Sequence, residues 1–243
     1  MKWIEGSRFL ITGATSGIGL SFLKNILQYK PSSIFITGYK TSFNSLVNDS
    51  GCKIEYRVFD LSDNAVLKSK EFRQFIEDSK PNYFIHCAGD VLKRSSLEQS
   101  DFELYLKSMN LNYHSAHHIV RIMSNSDILP FLKSCVFISS ISARSPNSKD
   151  SLHYASSKSA LETFVKGIAH ELPPTRFNCI APSAISTRFQ ELHSTKDRVS
   201  RIINQTPLKR LGDVDEVVNL IIFLLSDKAS YITGSIYPIT GGR

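Results

Sequence analysis

The chain has 243 residues, 42% hydrophobic and 21% charged, with 29 basic against 22 acidic side chains and a formal net charge of +7. No apolar run approaches the ~18 residues a membrane span needs, so no membrane association is expected. The Lys and Arg residues are scattered rather than clustered, which points to an anionic small molecule sooner than to nucleic acid. Cys52, Cys87, Cys135 and Cys179 lie in or beside strand-like segments without metal-ligand spacing. That is the pattern of reduced thiols in a cytoplasmic protein, and no metal is expected. The N-terminal residues run almost directly into a strand, so no signal peptide is expected.

Residues 8–12 (RFLIT) form a short apolar strand that ends in Gly13-Ala14-Thr15-Ser16-Gly17-Ile18-Gly19. A helical pattern follows through Ile18, Phe22, Leu23, Ile26 and Leu27. Strand, glycine-rich turn and helix together form a site for a pyrophosphate. Glycines admit close backbone approach, and a helix N-terminus presents unpaired N–H groups. The spacing is GxxxGxG rather than GxGxxG.

Residues 33–37 and 53–59 read as the second and third strands, and 82–87 as a fourth that closes on Ala88-Gly89. A helical region from about 100 to 124 carries Asn110. Residues 134–139 form a fifth strand with Ser140 at its carboxyl end, and a helix spans 152–172. Residues 176–180 are a short strand running into Ala181-Pro182-Ser183, and 184–210 are polar and irregular, as expected of a lid. A helix over 214–225 and a last strand over 235–239 complete the chain. The β-α-β alternation predicts a single α/β domain, doubly wound around a parallel sheet, over 1–243. In such sheets ligands bind beyond the carboxyl ends of the strands, where the glycine turn, Ala88-Gly89, Ser140 and Pro182 all fall.

Tyr154 and Lys158 stand at i and i+4 on the 152–172 helix and therefore share a face. A lysine cation beside a tyrosine favours the phenolate, as a general acid/base for alcohol and carbonyl chemistry requires. YxxxK alone is a weak signal; its arrival at the same end of the sheet as the glycine turn makes it strong.

In these motifs the chain resembles the short-chain dehydrogenase/reductases over nearly its whole length. The matching residues are Thr12-Gly13-x-x-x-Gly17-Ile18-Gly19, Asp60-Leu61, Ala88-Gly89, Asn110-Leu111, Ser139-Ser140, Tyr154-x-x-x-Lys158, Asn178, and Pro182 with Thr187. The resemblance implies a Rossmann-type fold with seven parallel strands, a nicotinamide cofactor, and a homotetramer or homodimer. It implies that Tyr154 exchanges the alcohol proton, that Lys158 lowers the Tyr154 pKa and binds the nicotinamide ribose, and that Ser140 holds the substrate oxygen. Asn110 would bind the water of a proton relay. Ser140 is preferred to Ser139 and Ser142 as the second serine of the ISS pattern, and Asn110 to Asn112 because Leu111 follows it directly. The implied cofactor site comprises Gly13, Thr15, Ser16, Gly17, Ile18, Gly19, Asp60, Leu61, Ala88, Gly89, Tyr154, Lys158, Pro182, Ile185 and Thr187.

The segment after the second strand, Gly38-Tyr39-Lys40-Thr41-Ser42, lacks the carboxylate that would bind ribose hydroxyls and repel a 2′-phosphate. Lys40 and its hydroxyl neighbours favour NADP(H) over NAD(H). The chain departs from the family's NNAG at His86-Cys87 and from its PG at Ser183, where a stiffer turn is expected. Cations in and near the lid, including Arg188, Lys196, Arg198 and Arg201, favour a polar or anionic keto substrate: a sugar derivative, a keto acid or a 3-oxoacyl group. The competing reading is a dinucleotide-binding sensor or scaffold without turnover. An intact Tyr154, Lys158, Ser140 and Asn110 argues against it.

Overall fold

A computed structural model describes residues 1–39, 51–145 and 150–243. The strands are β1 (Arg8–Thr12), β2 (Ser33–Gly38), β3 (Lys53–Val58), β4 (Tyr83–His86), β5 (Ser134–Ile138), β6 (Arg176–Pro182) and β7 (Ile236–Ile239). They form one seven-stranded parallel sheet in the order β3-β2-β1-β4-β5-β6-β7. Strands buried on both faces of a parallel sheet read as continuous apolar runs, and β1, β4 and β5 do. β3 lies at an edge and carries Lys53, Glu55 and Arg57, charges that discourage further strand pairing.

The principal helices are α1 (Gly17–Leu27), α2 (Asn64–Lys68), α3 (Lys70–Ser79), α4 (Phe102–Met109), α5 (Ser115–Ser124), α6 (Leu152–Glu171), α7 (Arg188–His193), α8 (Lys196–Gln205) and α9 (Val214–Leu225). One core joins one sheet face to α1 and α9 through Phe22, Ile26, Val217 and Ile221. The other joins the opposite face to α3, α5 and α6 through Phe72, Ile119, Leu161 and Val165. The sheet order reverses between β1 and β4, which leaves a crevice at their carboxyl ends.

Two local departures from the expected elements matter for the site. The helical region at 100–124 is interrupted by a π turn, Asn110–His114, between α4 and α5. The irregular lid expected at 184–210 contains α7 and α8, the latter capped by Thr195, whose Oγ1 accepts from Arg198 N–H at 3.3 Å. Among the described residues no helix is long and apolar enough to cross a membrane.

Candidate active site

A cleft of about 440 Å³ runs along the carboxyl ends of the strands. Gly13, Thr15, Ser16, Gly17, Ile18 and Gly19 line it at one end, with Asp60 and Leu61 nearby. Ala88, Gly89, Pro182, Ile185 and Thr187 line its middle, and Ser140, Tyr154 and Lys158 its inner wall. These residues come together from six separate stretches of chain. Lys40 lies outside the described residues.

The glycine turn is built for close approach. Gly13 has φ +67°, and a Cβ there would stand 2.7 Å from the Ala88 nitrogen, a backbone atom that has no room to yield. Ser16 precedes α1 without a side-chain cap bond, which leaves first-turn N–H groups for a ligand. A dinucleotide pyrophosphate fits that donor set. Among the described residues, the cleft is lined at the end of β2 by Gly38 and Tyr39, with no carboxylate. The Asp60 carboxylate is occupied by Ser62, whose N–H and hydroxyl donate to Oδ1 at 2.9 and 2.6 Å.

At the catalytic end, the Ser140 hydroxyl is near enough to the Tyr154 phenol to draw its pKa down. Ser140 Oγ also accepts from Ser142 N–H at 3.2 Å, which orients it at the end of β5. Burial pushes the Tyr154 phenol up to about 12; the Ser140 hydrogen bond and the Arg94 charge oppose that shift and Asp90 adds to it. Burial also brings the Lys158 ammonium down to about 8. Lys158 Nζ donates to the Ile138 carbonyl at 2.8 Å and stands 5.7 Å from the Tyr154 ring centre. Besides burial, the groups that act on the phenol here are Ser140, Asp90 and Arg94. The ammonium is turned to a carbonyl, and desolvation dominates both groups.

The two asparagines are placed differently from the expectation. Asn110 Nδ2 donates to the Ser62 carbonyl at 2.9 Å, and its Oδ1 pairs with His114 Nδ1 at 2.8 Å. That holds the Asp60–Ser62 turn. Asn112 is fully buried; its Oδ1 accepts from Asp90 N–H at 3.1 Å, and Nδ2 donates to the Asp90 carbonyl at 2.9 Å. A Cβ on Gly89 would stand 2.7 Å from Lys158 Nζ and 2.8 Å from Asn112 Oδ1, so one glycine separates the two. Both asparagines lie in the π turn, and Asn112 is the one that bonds the Asp90 backbone beside Gly89.

Other residues emerge only in three dimensions. Glu162, one turn beyond Lys158, is buried; Oε1 accepts from Ser139 Oγ at 3.0 Å and Oε2 from Arg144 Nε at 3.1 Å. Ser159 Oγ donates to the Ala143 carbonyl at 2.7 Å, so α6 is stitched to the segment that carries Ser140. His153 Nε2 pairs with the Val91 carbonyl at 3.0 Å, a structural contact. Asp90 lines the cleft and pairs with His193 Nε2 on α7 at 2.5 Å. Phe189 on the same helix stands 6.3 Å from the Tyr154 ring. Among the described residues, no group of three His, Cys, Asp or Glu side chains is placed to hold a metal ion.

A family model described as enoyl-(acyl carrier protein) reductase matches residues 13–243. The chain belongs to the short-chain dehydrogenase/reductase family. It is 30% identical to a tropinone reductase homolog of Arabidopsis thaliana over 99% of this chain and 94% of that one. It is 28% identical to the D-erythrulose reductase of Gallus gallus, over 98% and 96%. A solved 4-hydroxyisoleucine dehydrogenase variant, complexed with NADH and succinate, superposes with a TM-score of 0.84 at 25% identity, over 97% of this chain and 98% of that one.

As a short-chain dehydrogenase/reductase, the protein is an oxidoreductase that binds a nicotinamide dinucleotide. Its departure at His86 has a physical substitute. His86 Nδ1 pairs with Thr12 Oγ1 at 2.9 Å, and that hydroxyl accepts from Ala88 N–H at 3.3 Å. The chain of contacts ties β4 to β1 directly beneath the Ala88-Gly89 pair. Burial brings the His86 imidazole down to about 3, with the Lys158 charge acting in the same direction.

Proposed function

We propose that the protein reduces a polar or anionic ketone to a secondary alcohol at the expense of NADPH. The observation that carries this reading is the buried Tyr154 phenol, held protonated, beside the half-buried Ser140 hydroxyl in the lining of the cleft. The bound nicotinamide supplies the hydride. Ser140 donates a hydrogen bond to the substrate oxygen, and that bond strengthens as negative charge develops there. Tyr154, protonated at neutral pH, delivers the proton to the same oxygen. Lys158 holds positive charge behind the phenol as it ionises. Asn112 fixes the Asp90 backbone and the wall beside Lys158, and we assign to it the relay position first expected of Asn110.

The preference for NADPH is supported by the end of β2, where among the described residues no carboxylate lines the cleft, and by Asp60, whose Oδ1 is held by Ser62. The substrate class is supported by the polar groups at the catalytic end and by the named ketose substrate of the Gallus gallus relative. Absorbance of the nicotinamide, followed with NADPH and then NADH across a panel of ketoses, keto acids and 3-oxoacyl thioesters, tests both. Tyr154→Phe is expected to lower turnover about 10²–10⁴-fold while nicotinamide fluorescence still reports binding. Retained turnover in that variant removes the mechanism, and binding without turnover of any carbonyl favours a sensor.

We further propose a homo-oligomer in the cytoplasm. Phe102 and Tyr105 stack at 5.9 Å on an exposed face of α4, with Leu97 and Leu106 beside them, a surface suited to a second copy. The four cysteines are free, which suits a reducing compartment. Light scattering of the wild type and of Phe102→Asp tests the assembly.

A further inference from the structure

At the outer side of α7, Arg94 Nε donates to the His193 carbonyl at 2.8 Å, and Nη1 pairs with Asp150 at 3.0 Å. Arg198, on α8, lies within electrostatic reach of Arg94, Arg201, Arg243 and Asp150. Among the described residues, three guanidinium groups and one carboxylate thus act on the Arg198 guanidinium. Arg198 Nε is buried without a hydrogen-bond partner. A buried donor left unpaired among like charges is costly unless something anionic completes it.

The cluster adjoins the catalytic end of the cleft. The His193 ring stands 4.8 Å from Phe189, and Phe189 stands 6.3 Å from Tyr154. The charge of Arg94 reaches the Tyr154 phenol and draws it downward. The glycine turn and the end of β2, which suit the cofactor's phosphates, line the cleft themselves, whereas Arg94 and Arg198 stand outside that lining, behind Phe189 and His193. An anion here is therefore the substrate's rather than the dinucleotide's.

We propose that Arg94 and Arg198 form an oxyanion subsite that holds a carboxylate or phosphate group of the ketone, remote from its carbonyl. This rests on the carbonyl-reductase reading above and names what distinguishes its substrates. Guanidinium forks match the geometry of either oxyanion, so the recognised chemistry is shared. Burial, followed by the charge of Arg94, holds Arg198 below the ordinary arginine range, while Asp150 opposes both. A site under that load gains most from an anion.

The test has a binding arm and a kinetic arm. With NADPH present in saturating amounts, inorganic phosphate is titrated into the wild type, Arg198→Ala and Arg198→Lys while thermal unfolding is followed. Phosphate is expected to raise the wild-type midpoint, to raise that of Arg198→Lys less, and to leave that of Arg198→Ala unmoved. No shift in the wild type, or an equal shift in Arg198→Ala, overturns the subsite. In the kinetic arm, the ratio of kcat/KM for acetoacetate over methyl acetoacetate, and for dihydroxyacetone phosphate over dihydroxyacetone, is compared between the wild type and Arg198→Ala. At least one ratio is expected to fall about tenfold or more, and the affected pair separates carboxylate from phosphate. Unchanged ratios on active ketones overturn the proposal. An Arg198-dependent phosphate shift with every ketone inert supports the subsite and counts against the carbonyl-reductase reading.

Discussion

Arg144 Nε donates to the Glu162 carboxylate at 3.1 Å, one helical turn beyond Lys158. The second oxygen of that carboxylate receives the Ser139 hydroxyl, so Glu162 grips the residues on either side of Ser140. Glu162→Ala removes the acceptor from both and is expected to cost about 1–3 kcal/mol in urea unfolding. Turnover is expected to fall more than KM rises, because Ser140 loses its fixed aim rather than its hydroxyl. Glu162→Gln, which keeps one acceptor for Ser139, is expected to recover part of kcat. Equal loss in both variants, or a change in stability alone, removes the positioning role.

The two asparagines predict separable defects. Asn112→Ala leaves the Asp90 N–H and carbonyl without their side-chain partner beside Lys158, and kcat is expected to drop about tenfold or more. Asn110→Ala releases the Ser62 carbonyl and the turn that carries Asp60. Its effect is expected on the apparent affinity for cofactor, a few-fold, with kcat nearly kept. Steady-state kinetics with cofactor and ketone varied in turn distinguishes the two, and the reverse pattern returns the relay position to Asn110.

The pH dependence of reduction follows from Lys158. Its ammonium, brought down to about 8 by burial, is lost as the pH rises through that value, while Tyr154 keeps its proton to about 12. The kcat/KM for ketone reduction is expected to be level near neutrality and to fall above about pH 8. Stability moves the other way in that window: the unfolded state still binds the lysine proton to about 10.5, so unfolding becomes harder as the native lysine gives its proton up. A rate that rises through pH 9, in buffers of constant ionic strength, contradicts the assignment.

His86 sets an acid limb of stability. It is fully buried, and its imidazole stays neutral in the fold down to about pH 3, whereas an unfolded histidine takes a proton near 6.5. Below about pH 6 the unfolded state binds the extra proton, and stability is lost as the pH falls, by up to about 1.4 kcal/mol per pH unit from this residue. Urea midpoints from pH 7 to 4 measure it. His86→Asn is expected to flatten that limb, and an unchanged slope assigns the acid sensitivity to other groups.

The central strands were legible because buried parallel strands are continuous apolar runs, and β1, β5 and β6 are followed or closed by a glycine, serine or proline. The cofactor turn and the Tyr154–Lys158 pair were legible for the same reason: their residues sit close together in the chain. Asn112 was not, since an NL pattern counts residues and a π turn changes which of them face inward. Glu162 was hidden in an apolar helical repeat, where a single carboxylate reads as a surface residue until Arg144 and Ser139 fold onto it. Asp90 and His193 are 103 residues apart and meet only when α7 closes over the cleft. Thr195 followed by Asp197 was a readable helix start that the polarity of the lid obscured.

The π turn at Asn110–His114 has a consequence for how this site tolerates change. Each residue turns a helix by about 100°, and within this turn Asn110 bonds the Ser62 carbonyl while Asn112 bonds the Asp90 backbone. Two asparagines only two positions apart thereby hold two different stretches of the cleft wall, at Ser62 and at Asp90. A one-residue deletion in this turn would restore an ordinary helix and swing Asn112 off the Asp90 backbone, at a cost felt in the chemistry before the fold.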